Sequence, residues 1–236
     1  MNSSLLKVRE QLVFEYSATN NSVLEKFENN ARLMNNSFSK RLLDVSFSIF
    51  LFLFVFSWLF PLLAILIKLS SKGPVFFKQM RTGLDNTNIY CYKFRSMCVE
   101  SKDMDENGKY IQAIENDPRT TIVGKFLRRT SLDELPQFWN VLKGDMSLIG
   151  PRPHPYLLDK EFEQKIENYS LRYLVKPGIT GWAQVKGYRG STQKDGLMQK
   201  RIEHDLWYIN HWDLVLDIKI IWLTIQSIFL GDDNAY

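Results

Sequence analysis

From Val45 to Ile67 the chain reads VSFSIFLFLFVFSWLFPLLAILI, 23 residues without a charge. A run of that length is sufficient to cross a bilayer as a helix. It starts too far from the N-terminus, and lacks the small-residue cleavage site, to be a signal peptide. Lys40 and Arg41 precede it, and Lys68, Lys72, Lys78 and Arg81 follow it. Basic flanks are retained on the cytoplasmic side, so both ends are drawn to the same face. One crossing leaves an end on the wrong side. A helix that enters, breaks and returns satisfies both, and Pro61 removes a backbone hydrogen bond where such a break could fall. A kinked single span is the competing reading.

Outside this run the pattern changes period. Residues 1–39 are rich in Asn and Ser, with only a weak helical repeat around Leu5 to Tyr16 and Val23 to Leu33. The stretches PVFFKQMR and IYCYKFRSM are β-rich and flank the turn-forming TGLDNTN, which predicts a hairpin. Glu100 to Asp117 is a polar excursion with a turn at Asn107-Gly108. Asp159 to Val175 and Gln199 to Asn210 carry helical periodicity, while KPGITGWAQVKG is broken into loop or short strand. The C-terminal WDLVLDIKIIWLTIQSIFL places Asp213, Asp217 and Lys219 loosely on one side of a helix, leaving an apolar side for the core or for a bilayer surface, with Trp212, Trp222 and Phe229 as interfacial residues. The pattern therefore predicts an α+β fold, mostly helical, with one short hairpin. Its parts are a polar segment (1–39), a membrane helix (40–72) and a catalytic region (73–236).

Composition narrows the partners. With 45% hydrophobic and 14% aromatic residues, a chain of 236 residues can bury a good-sized core. A net charge of +4 favours anionic partners. The basic residues flank acidic ones and share the chain with a membrane segment, which argues against nucleic acid. Cys91 and Cys98 form no metal or disulfide spacing, consistent with a reduced, cytosol-facing environment.

The stretch RRTSLDELPQFWNVL, residues 128–142, concentrates the candidate chemistry. Ser131 and Glu134 form a capping-box pattern; alternatively, the helix starts at Pro136 and ends before Gly144, with Asp133 and Glu134 on the turn before it. Either way the pair sits at a helix N-terminus, where N–H groups and the dipole favour anions. Lys93, Arg95, Arg119, Arg128, Arg129 and Arg152 lie around it in sequence, enough cations for a diphosphate. His154, His204 and His211 lack the spacing of a metal triad, and there is no Walker A loop, GxGxxG, HExxH or GxSxG.

Taken together, GPVFFKQMRTG, YKFRSM, RRTSLDELPQFWNVLKGDMSLIGPRP and KPGITGWAQVKG resemble the bacterial sugar transferases known as monotopic phosphoglycosyl transferases, from about Lys40 to the C-terminus. The blocks HPYLLDKEFEQKIENY, GYRGST and RIEHDLWYI are most similar to the undecaprenyl-phosphate glucose phosphotransferases of the colanic-acid-initiating type. That resemblance implies a UDP-sugar donor, with UDP-glucose favoured over UDP-galactose or an N-acetylated sugar. It also implies an undecaprenyl phosphate acceptor, contact with membrane lipid and Mg²⁺, and leaves homo-oligomerisation open. By motif, Asp133 is the expected nucleophile and Glu134 the main metal ligand beside Asp133. Lys93, Arg95, Arg128, Arg152 and Asp205 are the expected substrate-binding residues. The membrane segment is expected to be a re-entrant helix-break-helix at the cytoplasmic face of the bacterial inner membrane, with interfacial amphipathic helices beside it; the family's helix-breaking Ser-Pro aligns near Phe56-Ser57, whereas this chain carries its proline one helical turn later, at Pro61. Glucose-type members carry transmembrane helices upstream, where residues 1–39 stand here. A membrane-bound metal-dependent phosphohydrolase and a non-catalytic scaffold of glycan assembly are the rival readings.

Overall fold

A computed structural model describes residues 21–230 except 102–103, 107–109, 115 and 191–195. The patterns at Leu5 to Tyr16 and at Asn107-Gly108 lie outside the described residues. The fold is mostly helical α+β with short strands, as the sequence predicts.

Helix α1 (Asn21–Asn36) extends the weak repeat found from Val23. Leu24, Phe27, Ala31 and Met34 recur on one face and are buried in the main core, so this polar-looking segment is part of the folded body. Ser37 ends it and starts the next helix by accepting a hydrogen bond from the Lys40 amide at 3.2 Å.

The membrane segment is one continuous helical stretch from Phe38 to Ser70: α2 (Phe38–Leu51), a π-turn over Phe52–Phe56, and α3 (Ser57–Ser70). Its 33 residues would extend about 50 Å at 1.5 Å per residue, well beyond an apolar bilayer core. Little of its most apolar stretch is covered by the rest of the protein, which separates it from the core helix of a soluble domain. The irregularity falls at Phe52–Phe56 and not at Pro61, which lies inside α3. A π-turn takes up one extra residue while keeping backbone bonds, and such turns commonly accompany local helix disruption.

Both ends of this segment are tied to the same globular body. At the start, Lys40 Nζ meets Asp217 at 2.7 Å and the Ile149 carbonyl at 2.9 Å, and the Asp44 carboxylate accepts from the Leu148 amide at 2.8 Å. At the end, Arg95 donates to the carbonyls of Ser71 and Lys72, while Leu63 and Ile67 pack with Phe94 and Leu127.

The hairpin is present as β1 (Phe76–Thr82) and β2 (Asn88–Phe94), paired antiparallel from Phe76↔Phe94 to Thr82↔Asn88. After α4 (Ile122–Arg129) and α5 (Gln137–Lys143), strand β3 (Ser147–Ile149) pairs parallel with β4 (Gly178–Thr180). The predicted helix over Asp159 to Val175 is split into α6 (Tyr156–Glu163) and a 3₁₀ segment, Tyr169–Leu174. Asn168 separates them in the left-handed conformation, which Asn tolerates better than most residues. A short α7 (Trp182–Val185) precedes α8 (Leu197–Asn210), which matches the predicted helix closely.

Helix α9 (Leu214–Leu230) packs Leu216, Ile220 and Leu223 on the core and leaves Lys219, like Asp213 just before it, exposed, but departs from the expected arrangement at Asp217. Asp217 points inward and is fully buried against Lys40, Tyr208 and Trp212, while Val215, Ile218, Trp222 and Ile225 form an outward apolar stripe. The buried lysine is the reason: its charge requires a carboxylate, which turns that side of α9 toward the core. Trp212, expected at an interface, turns inward with it.

Candidate active site

The carboxylate pair is presented by a chain reversal between two short helices. Thr121 caps α4 by accepting from the Gly124 amide at 2.9 Å. Gly124 abuts the Ser96 carbonyl so closely that a Cβ there would lie 1.8 Å from its oxygen, and this approach seats α4 against the exit of β2. Arg128 then donates from Nε to the Ser96 hydroxyl at 3.0 Å. Ser131 turns the chain with a φ of 59°, and Leu132–Glu134 form a 3₁₀ turn leading into Pro136 and α5, which Gly144 ends in the left-handed region at φ 89°. The helix start at Pro136 is therefore the arrangement found. The capping box is not: the Ser131 hydroxyl accepts from Arg189 at 2.6 Å and caps nothing. Left-handed backbone at Ser131 aims its hydroxyl away from the Glu134 amide.

Asp133 and Glu134 are both buried, yet they differ completely in partners. Glu134 Oε1 receives Lys93 Nζ at 2.7 Å, and Arg152 forks across both carboxylate oxygens at 2.5 and 2.9 Å. Burial alone would raise the Glu134 pKa, but the charges and hydrogen bonds of Arg152 and Lys93 hold it well below the usual carboxylate range. Asp133 makes no hydrogen bond or ion pair among the described residues and faces a cleft of about 500 Å³. Burial pushes its carboxyl up to about 6, against the pull of Lys93 and with a further push from Glu134.

The structure gathers Lys93, Arg128, Arg152, Asp133 and Glu134 into this one cleft. Arg95 also borders it, with its terminal nitrogens donating to the Ser71 and Lys72 carbonyls at the end of the membrane segment. Asp205 lies behind the cleft, 3.0 Å from Arg172 NH2. Arg172 also donates to the Arg152 carbonyl and, at 2.8 Å, to His154 Nδ1. Asp205 therefore supports the backbone that presents Arg152 and does not itself line the cleft.

This supporting layer escaped the sequence reading. Tyr169 donates to Asp159 at 2.7 Å, Thr82 donates to the same carboxylate at 2.7 Å, and Arg81 donates to the Pro153 carbonyl at 3.1 Å. His154 is buried among Arg172, Arg201, Arg81 and Arg152; burial first, then these cations, hold its pKa well below the usual value, so it is a neutral imidazole. The one local signal was Arg172 in the otherwise apolar YSLRYLV, a charge where the pattern predicts a buried face. The GPRP block is held on the other side by backbone: Gly150 donates to Thr180 and Gly178 to Pro151, each at 2.9 Å. A Cβ on Gly178 would lie 2.1 Å from the Gly150 nitrogen, so the two blocks GPRP and KPGITG form one unit.

Among the described residues no group of three or more His, Cys, Asp or Glu side chains could enclose a metal. The donors available are Asp133, without a partner, and Glu134, whose Oε2 accepts a single hydrogen bond. That set fits Mg²⁺, which takes one or two carboxylates and completes its shell with water and substrate phosphate.

Residues 35–231 match the family model described as bacterial sugar transferase. The chain is 54% identical over 170 residues to a UDP-glucose:undecaprenyl-phosphate glucose-1-phosphate transferase of Escherichia coli K12, a match covering 72% of this chain and 36% of the relative. It is 50% identical over 201 residues to a protein of the same description from Klebsiella pneumoniae, covering 85% and 42%. It is also 46% identical over 178 residues to an Aeromonas hydrophila UDP-N-acetylgalactosamine-undecaprenyl-phosphate N-acetylgalactosaminephosphotransferase, covering 75% and 40%. The chain thus spans less than half the length of these three relatives. A family match over most of the chain, together with relatives at about half identity, leads to one conclusion: this chain belongs to the bacterial sugar transferase family.

Proposed function

We propose that the protein transfers a hexose-1-phosphate from a UDP-sugar, with UDP-glucose favoured, to undecaprenyl phosphate, releasing UMP and starting assembly of an exopolysaccharide or related glycan. The observation that carries this reading is the contrast within the pair: Glu134 is ion-paired with Lys93 and Arg152, its Oε2 accepting one hydrogen bond, while Asp133 is buried, without a hydrogen bond or ion pair among the described residues, and open to the cleft. A carboxylate left in that state is poised as a nucleophile.

An Asp133 oxygen attacks the β-phosphorus of the donor, the phosphoanhydride bond breaks, and UMP leaves with its electron pair. An oxygen of the acceptor phosphate then attacks the same phosphorus, the bond to Asp133 breaks, and the carboxylate is restored. Lys93, Arg128 and Arg152 offset the charge on the phosphate oxygens in both steps. Asp133 and Glu134 would hold Mg²⁺, which supplies charge neutralisation on the transferring phosphate. Arg172 and Asp205 keep Arg152 aimed at Glu134.

The docking of both ends of the membrane segment on one body supports a re-entrant path, since that body cannot occupy both sides of a bilayer. The π-turn at Phe52–Phe56 supplies the irregularity, next to Phe56-Ser57. The outward stripe of α9 supports a helix lying at the membrane interface, with the cleft on the cytoplasmic face where UDP-sugars are found.

The test supplies enzyme in nanodiscs with Mg²⁺, undecaprenyl phosphate and labelled UDP-glucose, UDP-galactose or UDP-N-acetylgalactosamine. A labelled lipid diphosphate sugar with matching UMP is expected, UDP-glucose giving the highest kcat/KM. Free sugar phosphate formed without lipid would establish the hydrolase instead.

A further inference from the structure

The cleft lining is of two kinds. Arg152, His154, Arg189 and Arg201 contribute polar and cationic groups. Phe77 and Val99 are apolar, and they are 40% and 54% exposed although they lie beside a charged site. Large exposed side chains grouped at a cleft mouth mark a surface that something apolar covers.

Two features tie this apolar part to the membrane. Phe60 of the membrane segment meets Phe94 edge-on at 4.9 Å, and Phe94 stacks on Phe76 at 5.3 Å, so one face of the hairpin is seated on the membrane segment while Phe77, next along the strand, points to the other face with Lys93. The connection between them is also short and tight. Gly73 turns the chain with a φ of 127° directly after α3, and a Cβ there would lie 2.5 Å from Val99 Cγ2. The chemistry lies equally close: Phe77 is directly opposite Lys93 in the hairpin register, on the same face, and Lys93 bonds Glu134.

We infer that Phe77 and Val99 form the portal for the isoprenoid chain of the acceptor. The first isoprene units lie across these side chains, and the phosphate they carry reaches Lys93 and Arg128 beside Asp133. The occupant is chosen by charge and continuity together. An isoprenoid phosphate is apolar along its chain and anionic at its end, and this surface is apolar where it leaves the membrane segment and cationic where it meets the nucleophile. The nucleoside and sugar of the donor match the polar lining.

This inference rests on the two-step reading, which allows the halves to be measured separately. Phe77→Ser and Val99→Ser are compared with the conservative Phe77→Leu in nanodiscs. UMP release from UDP-glucose without acceptor reports the first half, and steady-state KM for undecaprenyl phosphate and for the short farnesyl phosphate reports the second. The serine variants are expected to keep the UMP burst within about twofold. They should raise KM for undecaprenyl phosphate about ten- to hundredfold, the scale of withdrawing one apolar side chain from contact, with Phe77→Leu recovering most of it. The burst also shows that each variant is folded, and exposed Val99 provides a second probe if Phe77→Ser fails to fold. A raised donor KM in the burst would show that a nucleobase covers the surface. An unchanged acceptor KM in both serine variants would show contact with bulk lipid only; either result overturns the portal. Absence of any burst in the unaltered enzyme would instead refute the two-step reading.

Discussion

Two regions of this molecule bury acids beside bases, and they do so to opposite ends. At the base of the membrane segment every partner is supplied: Lys40 meets Asp217 and the Ile149 carbonyl, Tyr208 donates to Asp217 at 2.6 Å, Trp212 donates to it at 3.1 Å, and Asp44 accepts from Leu148. In the cleft, Glu134 is ion-paired with Lys93 and Arg152, but Asp133 beside it makes no hydrogen bond or ion pair among the described residues and feels the nearby cations only at a distance. Buried polar groups are nearly always paired, because leaving one unmade costs roughly 1–3 kcal/mol, more when it is charged. The satisfied cluster is architecture, fixing where the membrane segment leaves the body. The carboxylate without a hydrogen bond is the one the proposed reaction uses.

The largest expected effect comes from removing a buried carboxylate that the fold does not use. Asp133→Asn should lower UMP release by about 10³-fold or more, the scale of losing a nucleophile, with membrane attachment retained. It should also stabilise the protein. With its pKa raised from 3.8 to about 6 on folding, Asp133 binds protons more readily folded than unfolded, so stability falls as pH rises through that window. The variant should therefore gain Tm at pH near 7.5, by a stability on the order of 1–3 kcal/mol, and the gain should vanish as pH falls toward about 4.

The satisfied cluster should respond in the opposite sense. Asp217→Ala leaves Lys40 buried and unpaired and should cost about 3–5 kcal/mol of stability, read as a lowered Tm in detergent. Its burst rate per folded molecule should change little. A milder effect is expected at the clamp between the regions: Arg152→Lys loses the fork across Glu134 and should lower kcat about 10- to 100-fold while the protein remains folded. The smallest is a matter of pH and Mg²⁺. Burial raises the Asp133 carboxyl to about 6 without metal, and Mg²⁺ beside it draws it down again, so UMP release should rise with pH on an acid limb that shifts to lower pH as Mg²⁺ is increased; a profile that is flat in acid at every Mg²⁺ concentration would place the ionising group elsewhere.

Much of this was legible in local pattern. The hairpin, α8, the helix from Pro136 to Gly144 and the apolar membrane segment each rest on periodicity or turn chemistry carried within a few residues. The carboxylate pair with Lys93, Arg128 and Arg152 was recovered through multi-block resemblance, because no local rule brings residues so far apart in sequence to one cleft. What remained hidden depends on long-range pairing. Arg95 reads as one more phosphate-binding cation, and its bonds to the carbonyls of Ser71 and Lys72 are seen only in the fold. Asp217 reads as the polar side of a surface helix until Lys40, far away in the chain, draws it inward. The polar-looking α1 shows the same limit, since four apolar residues suffice to bury it.

The central claim is that Asp133 carries the sugar phosphate between donor and acceptor. The most direct test is intact-protein mass spectrometry of the nanodisc enzyme incubated with Mg²⁺ and UDP-glucose in the absence of lipid acceptor, with peptide mapping of any adduct. A hexose-phosphate on Asp133, formed with equimolar UMP, lost on adding undecaprenyl phosphate and absent from Asp133→Asn, is the predicted result. An enzyme that makes lipid-linked product at full rate yet never carries an adduct, or carries it on another residue, would contradict it.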